Sequence, residues 1–160
     1  MLSDDDQAFL EGGCALIIGT VDPDGAPQAS RGWGLDVLGG GSVRLLLDAD
    51  DEQTIANVAE TGSIAITAAD VRTLHSVQLK GSVLATRAAA PAEVTRARRY
   101  TDDFFLDIHE TDGTTYEVLE RMVPSRFVTC DCRVDDWFDQ TPGPGAGAPV
   151  DRIAPAGEPT

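Results

Sequence analysis

Lysine is almost missing from this chain. Lys80 stands alone among 12 basic residues, against 27 acidic ones over 160 positions, for a formal charge of −15. So acidic a surface repels phosphate backbones and anionic bilayers at long range, which sets aside nucleic acid and membrane as partners. An anionic small molecule would need a local basic pocket, and few residues are present to build one. Cysteine is scarce and odd in number, with Cys14, Cys130 and Cys132 and no Cys-x-x-Cys spacing, so no disulfide framework and no metal site are expected. On one strand Cys130 and Cys132 would share a face with Cα atoms roughly 6.5–7 Å apart, near the limit for a disulfide, and all three read as small buried hydrophobes. No apolar run approaches the roughly 18 residues of a transmembrane helix. Asp4, Asp5, Asp6 and Glu11 stand where a secretory signal would be basic, and the expectation is a soluble cytoplasmic protein. His75 and His109 are far apart and read as surface histidines. There is no phosphate loop, no His-Glu-x-x-His and no Gly-x-Ser-x-Gly, and the glycines at 39–41 lead into a strand, which excludes a dinucleotide fingerprint.

What is present is enough apolar residue, 42 %, to bury the core of one domain. Ser3 followed by three aspartates starts a helix that Gly12 and Gly13 end. Residues 14–21 form a branched, apolar strand running into the Pro23-Asp24-Gly25 turn, and 26–37 form its return. A strand at 43–47 follows. A short helix capped by Asp50 or Asp51 then places Ile55, Val58 and Ala59 on one face and stops at Gly62. Two strands follow at 63–69 and 75–86. In the second, Val77, Leu79, Gly81, Val83 and Ala85 share one phase, while Ser76, Gln78, Lys80 and Ser82 share the other. Pro91 opens a long helix ending at Asp112-Gly113; Arg96, Arg98 and Arg99 lie off its apolar stripe and read as a solvated face. A further helical turn at 115–123 and a last strand at 126–138 complete the domain, 1–139. Residues 140–160, rich in Pro, Gly and Ala, are expected as an extended tail. Six short strands in meander order, with peripheral helices, favour a closed antiparallel barrel, because closure removes exposed edges.

Four stretches, ALIIGTVDPDGAPQASRGWG, DEQTIANV, SVQLKGSV and WFDQTPGPGAG, occur in an order and spacing that resemble the pyridoxamine 5′-phosphate oxidase-like, FMN-binding split-barrel superfamily, the last of them an uncharacterised branch. The resemblance covers about residues 8–147. It implies a mainly β fold, a six-stranded antiparallel split barrel that forms a homodimer with FMN in a groove at the interface. It further implies a flavin-dependent oxidoreductase of unknown substrate, with the flavin carrying the redox chemistry and no side chain required as acid or base.

By position, the resemblance offers Ser30, Arg31, Gly32 and Trp33 along the flavin, with Arg31 gripping the phosphate and Gly32 allowing close backbone approach. Ser76 and Gln78 suit the ring edge, Lys80 suits a reduced, anionic ring or a second phosphate, and Gln53, Thr54 and Asn57 belong to the short helix beside it. The superfamily's stronger flavin binders carry a Ser-Arg-Lys-like group at the start of that helix, where this chain has Glu52, Gln53 and Thr54. That departure keeps an alternative open: a non-catalytic protein holding haem, a deazaflavin or another flat ligand in the same groove, with His75 or His109 as the axial ligand for haem.

Overall fold

A computed structural model describes residues 3–150 of the chain. The elements follow in the order α1 (Asp4–Glu11), β1 (Ala15–Val21), β2 (Pro27–Gly39), β3 (Ser42–Asp48), α2 (Glu52–Glu60), β4 (Ser63–Ala69), β5 (Ser76–Ala88), α3 (Pro91–Asp112), α4 (Tyr116–Glu120) and β6 (Phe127–Asp139). The six strands close into a barrel in the order β1-β2-β3-β6-β5-β4, and every neighbouring pair is antiparallel. The expected six-stranded antiparallel split barrel with peripheral helices is the architecture found.

Short-range chemistry sets the boundaries. The Ser3 hydroxyl accepts from the Asp6 backbone N–H while the Asp6 carboxylate accepts from the Ser3 N–H, which caps α1 from both sides. In the β1–β2 turn the Asp22 carboxylate accepts from the N–H groups of Asp24 and Ala26, at 3.0 and 2.8 Å, and Gly25 takes a φ of 84°. Pro91 opens α3, the Glu93 carboxylate accepts from the Ala90 N–H, and Gly113 closes the helix in the left-handed region.

Alternation along the strands sends Leu16, Ile18, Leu35, Leu45, Leu47, Ile66 and Leu79 into the barrel, where each is almost fully buried. A second apolar cluster lies on the barrel's outer wall: Trp33, Leu46 and Phe127 pack with Ala97 and Phe105 of α3 and Leu119 of α4. Trp33 shares the outward phase of Arg31, and the register shift between Gly32 and Gly34 places Gly34 on the outer side as well, opposite Leu46. The start of α3 is fixed by charge. Glu93 takes both guanidinium nitrogens of Arg87 at 2.6 and 2.8 Å and lies 3.0 Å from Arg44, which in turn forks onto Asp131. The Arg87 hydrogen bonds hold the Glu93 carboxyl down at about 2.

The three cysteines are buried free thiols. Cys130 and Cys132 do share one face, with sulfurs 3.6 Å apart. Burial pushes the Cys14 thiol up to about 12. For Cys132, the hydrogen bond to Cys130 and burial push the thiol up in the same direction.

The Pro/Gly-rich segment departs from the expected extended tail over its described part. The Gln140 N–H bonds the Ser76 carbonyl, and residues 141–148 then turn back on themselves. Pro149 bridges Phe138, and the Val150 N–H reaches the Trp137 carbonyl at 2.8 Å. Backbone pairing to the last residues of β6, which run past the end of β3, overrides the weak local propensity of this composition. The rest of the tail, 151–160, lies outside the described residues. Among the described residues no helix is long and apolar enough to cross a membrane.

Candidate functional site

Strand register assembles residues distant in sequence on the outer face of β2, β1, β4 and β5. Arg31 lies opposite Ile17, Ile17 opposite Thr67, Thr67 opposite Gln78, and Gln78 opposite Phe138 of β6. The adjacent row runs Ala29, Gly19, Ala65, Lys80 and Asp136. With neighbouring strands about 4.8 Å apart, Arg31 and Gln78 sit roughly 14 Å from each other across three strand gaps. Between them the floor is small or apolar, and Ile17 stands 52 % exposed, unusual for isoleucine in a barrel wall.

The polar groups on this face are held without being consumed. Gln78 Nε2 donates to Thr67 Oγ1 at 3.0 Å, which orients the amide and leaves its carbonyl oxygen. Lys80 Nζ rests 4.8 Å from the centre of the Phe138 ring, and the Arg31 guanidinium 5.8 Å from that of Trp33. Neither cation has an ion-pair partner among the described residues, on a chain where most arginines do. A shallow groove of about 380 Å³ opens at the β1–β2 turn end of this face, lined by Gly19, Thr20, Pro27, Gln28, Ala65 and Lys80; Arg31 and Gln78 lie on the same face outside its lining.

The residues expected at a flavin separate into four places. Arg31, Ser76, Gln78 and Lys80 are on the outer face. Ser76 is tied down there, its Oγ donating to the Leu74 carbonyl and its N–H to Thr141 Oγ1. Ser30 and Gly32 point into the barrel: Ser30 pairs with the inward Ile18, and a Cβ at Gly32 would lie 2.9 Å from the Leu16 Cβ. Trp33 is buried beneath α3 and α4, so it packs and does not stack on a ligand at the outer face. Thr54 and Asn57 are buried between α2 and the barrel end. Asn57 Nδ2 donates to Thr20 Oγ1 at 3.0 Å and Gln53 Nε2 donates to Asn57 Oδ1 at 2.8 Å. This chain plugs the barrel end, and α2 presents no basic group to the outer groove. The hydroxyls of Ser30 and Thr54 are buried without a hydrogen-bond partner among the described residues.

Sequence reading did not single out Ile17, Thr67 or Phe138 as parts of this face. Each looks like an ordinary strand residue, and only the register between strands brings it beside Arg31, Gln78 or Lys80. The histidines are elsewhere engaged. His75 packs on Phe9 at 4.5 Å with Nδ1 on Thr141 Oγ1, and His109 Nδ1 lies 2.9 Å from the Thr114 carbonyl oxygen.

No family model matches this chain, and no curated protein is similar to it in sequence. Solved structures are similar in fold. HupZ of Group A Streptococcus matches with a TM-score of 0.57 at 18 % identity, over 92 % of this chain and 100 % of that one. An F420 reductase matches with a TM-score of 0.56 at 16 % identity, over 85 % and 98 % of the two chains. A putative pyridoxamine 5′-phosphate oxidase from Lactobacillus delbrueckii matches with a TM-score of 0.52 at 19 % identity, over 86 % and 93 %. The chain has the split-barrel fold of these proteins.

Proposed function

We propose that the outer face of β2, β1, β4 and β5 binds a flat, anionic cofactor, FMN first, and that the protein is a flavin-dependent oxidoreductase acting on a small molecule. The observation that carries this reading is one outer face that holds two cations with no ion-pair partner among the described residues and an oriented amide around a small-residue floor, on a chain of net charge −15. Ala65 and Gly19 let a planar ring lie against the sheet. Arg31 suits the phosphate, since a guanidinium offers two parallel hydrogen bonds. Gln78 suits the ring edge, where neutral donors and acceptors are needed, and Lys80 favours a ring that gains negative charge. When bound, FMN supplies the electron and hydride transfer; the chain binds it, orients it and sets the charge beside it.

A groove this shallow covers one side of a ring. The exposed Ile17 and the open groove beside it are therefore assigned to a homodimer, in which a second barrel closes the other side. We assign the protein to the cytoplasm, among reduced thiols, on the buried free cysteines.

The second reading, a binding protein for a deazaflavin, haem or another flat ligand in the same groove, is favoured by one observation. Gln53 is spent on Asn57, and Glu52 stands where a basic residue would strengthen a phosphate grip. Fluorescence titration of FMN with the wild-type chain and Arg31→Ala separates the two. Saturable quenching that weakens at least about tenfold in the variant supports FMN. No quenching by the wild type removes FMN, and equal affinity in the two proteins removes Arg31 as its phosphate ligand.

A further inference from the structure

A second cleft, sharing no lining residue with the outer groove, opens between α1, β2 and α3 with a volume of about 460 Å³. Arg96, Arg99, Tyr100 and Asp103 recur at positions i, i+3, i+4 and i+7 of α3 and so form one helix face, which lines this cleft. The opposite wall carries Glu11 at the end of α1 and Asp36 on β2. The cleft exists because of small residues at its base. A Cβ at Gly34 would meet the Ala97 Cα at 3.4 Å, so helix and strand touch there, and the space widens toward α1.

The charges on this cleft are unevenly spent. Glu11 is committed to the fold, its Oε1 accepting from the Val37 N–H at 2.8 Å and its Oε2 from Gln7 Nε2 at 3.2 Å. Asp36 is buried and has one ion-pair partner among the described residues, Arg96, whose own side chain is largely in solvent. Burial pushes the Asp36 carboxyl up and the neighbouring Glu11 adds to this, while Arg96 and, more weakly, Arg44 act against it. Arg99 and Asp103, both exposed at the mouth of the cleft, have no ion-pair partner among the described residues. A lone anion entering here meets three carboxylates, and a lone cation meets two guanidinium groups. A molecule carrying both charges a few ångströms apart satisfies both walls.

We propose that this cleft binds a small zwitterion, an aliphatic α-amino acid. Its ammonium lies between Asp36 and Asp103, its carboxylate on Arg99, and its side chain against Leu46 and Ala97. The volume holds one such molecule with water, and sits within the ordinary range for small-ligand pockets of roughly 300–1,000 Å³. The site does not rest on the flavin reading.

The test is calorimetric titration of the full-length chain with L-leucine, with isocaproate, which lacks the ammonium, and with isoamylamine, which lacks the carboxylate. Leucine is expected to bind saturably, and each single-charge analogue at least about tenfold more weakly. Arg99→Gln should weaken leucine about tenfold, while Arg98→Gln, outside the cleft lining on the same helix, should leave it unchanged. Amide shifts in a nitrogen-labelled sample should move at Gly34 and Ala97. Absence of saturable heat, isoamylamine binding as tightly as leucine, or shifts confined to the outer groove would each overturn the proposal.

Discussion

The barrel has two kinds of outer wall. Along β2, β3 and β6 the outward Trp33, Leu46 and Phe127 are roofed by α3 and α4 and leave the solvent. Along β1 and β4 the outward Ile17, Gly19 and Ala65 have no such roof among the described residues, and Ile17 is half exposed. Both walls are made by the same alternation of side chains, and the difference is where the helices go. A wall completed by its own chain builds stability. A wall left bare, small-sided and framed by Arg31, Gln78 and Lys80 is where the molecule has surface to give to something else.

That contrast is broken most severely by a change common to both walls. Gly81 sits at a bulge where β5 crosses β6, and an added Cβ would fall 1.8 Å from the Arg133 carbonyl oxygen. Backbone cannot yield there as a side chain would. Gly81→Ala is expected to cost more than about 3 kcal/mol, beyond ordinary overpacking, read as loss of the cooperative transition in urea.

The next largest effect compares the walls directly. Trp33→Ala should destabilise by about 3–5 kcal/mol because it empties the roofed wall. Ile17→Asp should change monomer stability by less than about 0.5 kcal/mol, yet shift sedimentation from dimer to monomer. Equal stability losses in the two variants would erase the distinction between the walls.

A smaller effect concerns the barrel end. Asn57→Ala removes the buried amide that joins Gln53 to Thr20 and leaves the Thr20 hydroxyl unpaired, so a loss of about 1–3 kcal/mol is expected. FMN affinity should stay unchanged, which titration of the folded variant checks.

A further effect depends on pH. The Glu93 carboxyl is depressed to about 2 in the folded chain from an unfolded value of 4.5, so its contribution is complete above 4.5 and is lost as pH falls through about 2. Glu93→Gln should therefore melt below the wild type at neutral pH, and the gap should close between those two values. A gap that stays constant down to pH 2 would remove the Arg87–Glu93–Arg44 network as its cause.

Much of the fold could be read from residues. The turn after Asp22, the phase of residues 76–83 and the long helix after Pro91 each follow from a local mechanism that needs no knowledge of distant chain, whereas a register shift after Val83 takes Ala85 out of the expected phase and leaves it exposed. The site was legible only in part, for two physical reasons. Ser30, Arg31, Gly32 and Trp33 are consecutive on a strand, and alternation forbids neighbours from facing one ligand; Arg31 faces out while Ser30 and Gly32 face in. The bulge after Gly32 then shifts the phase, which no periodicity count reveals. Thr54, Asn57 and Val58 fall at i, i+3 and i+4 on α2, a spacing that marks the buried face of a short helix even when two of its members are polar. On α3 the three arginines are all exposed, as a solvated face requires, and Arg96 and Arg99 of that face also border the cleft.

The most direct test of the bare wall as a cofactor surface is an absorption spectrum of the freshly purified full-length protein, with mass spectrometry of whatever heat releases from it. The account predicts a yellow protein that releases FMN. A colourless protein that also fails to quench added FMN would contradict it.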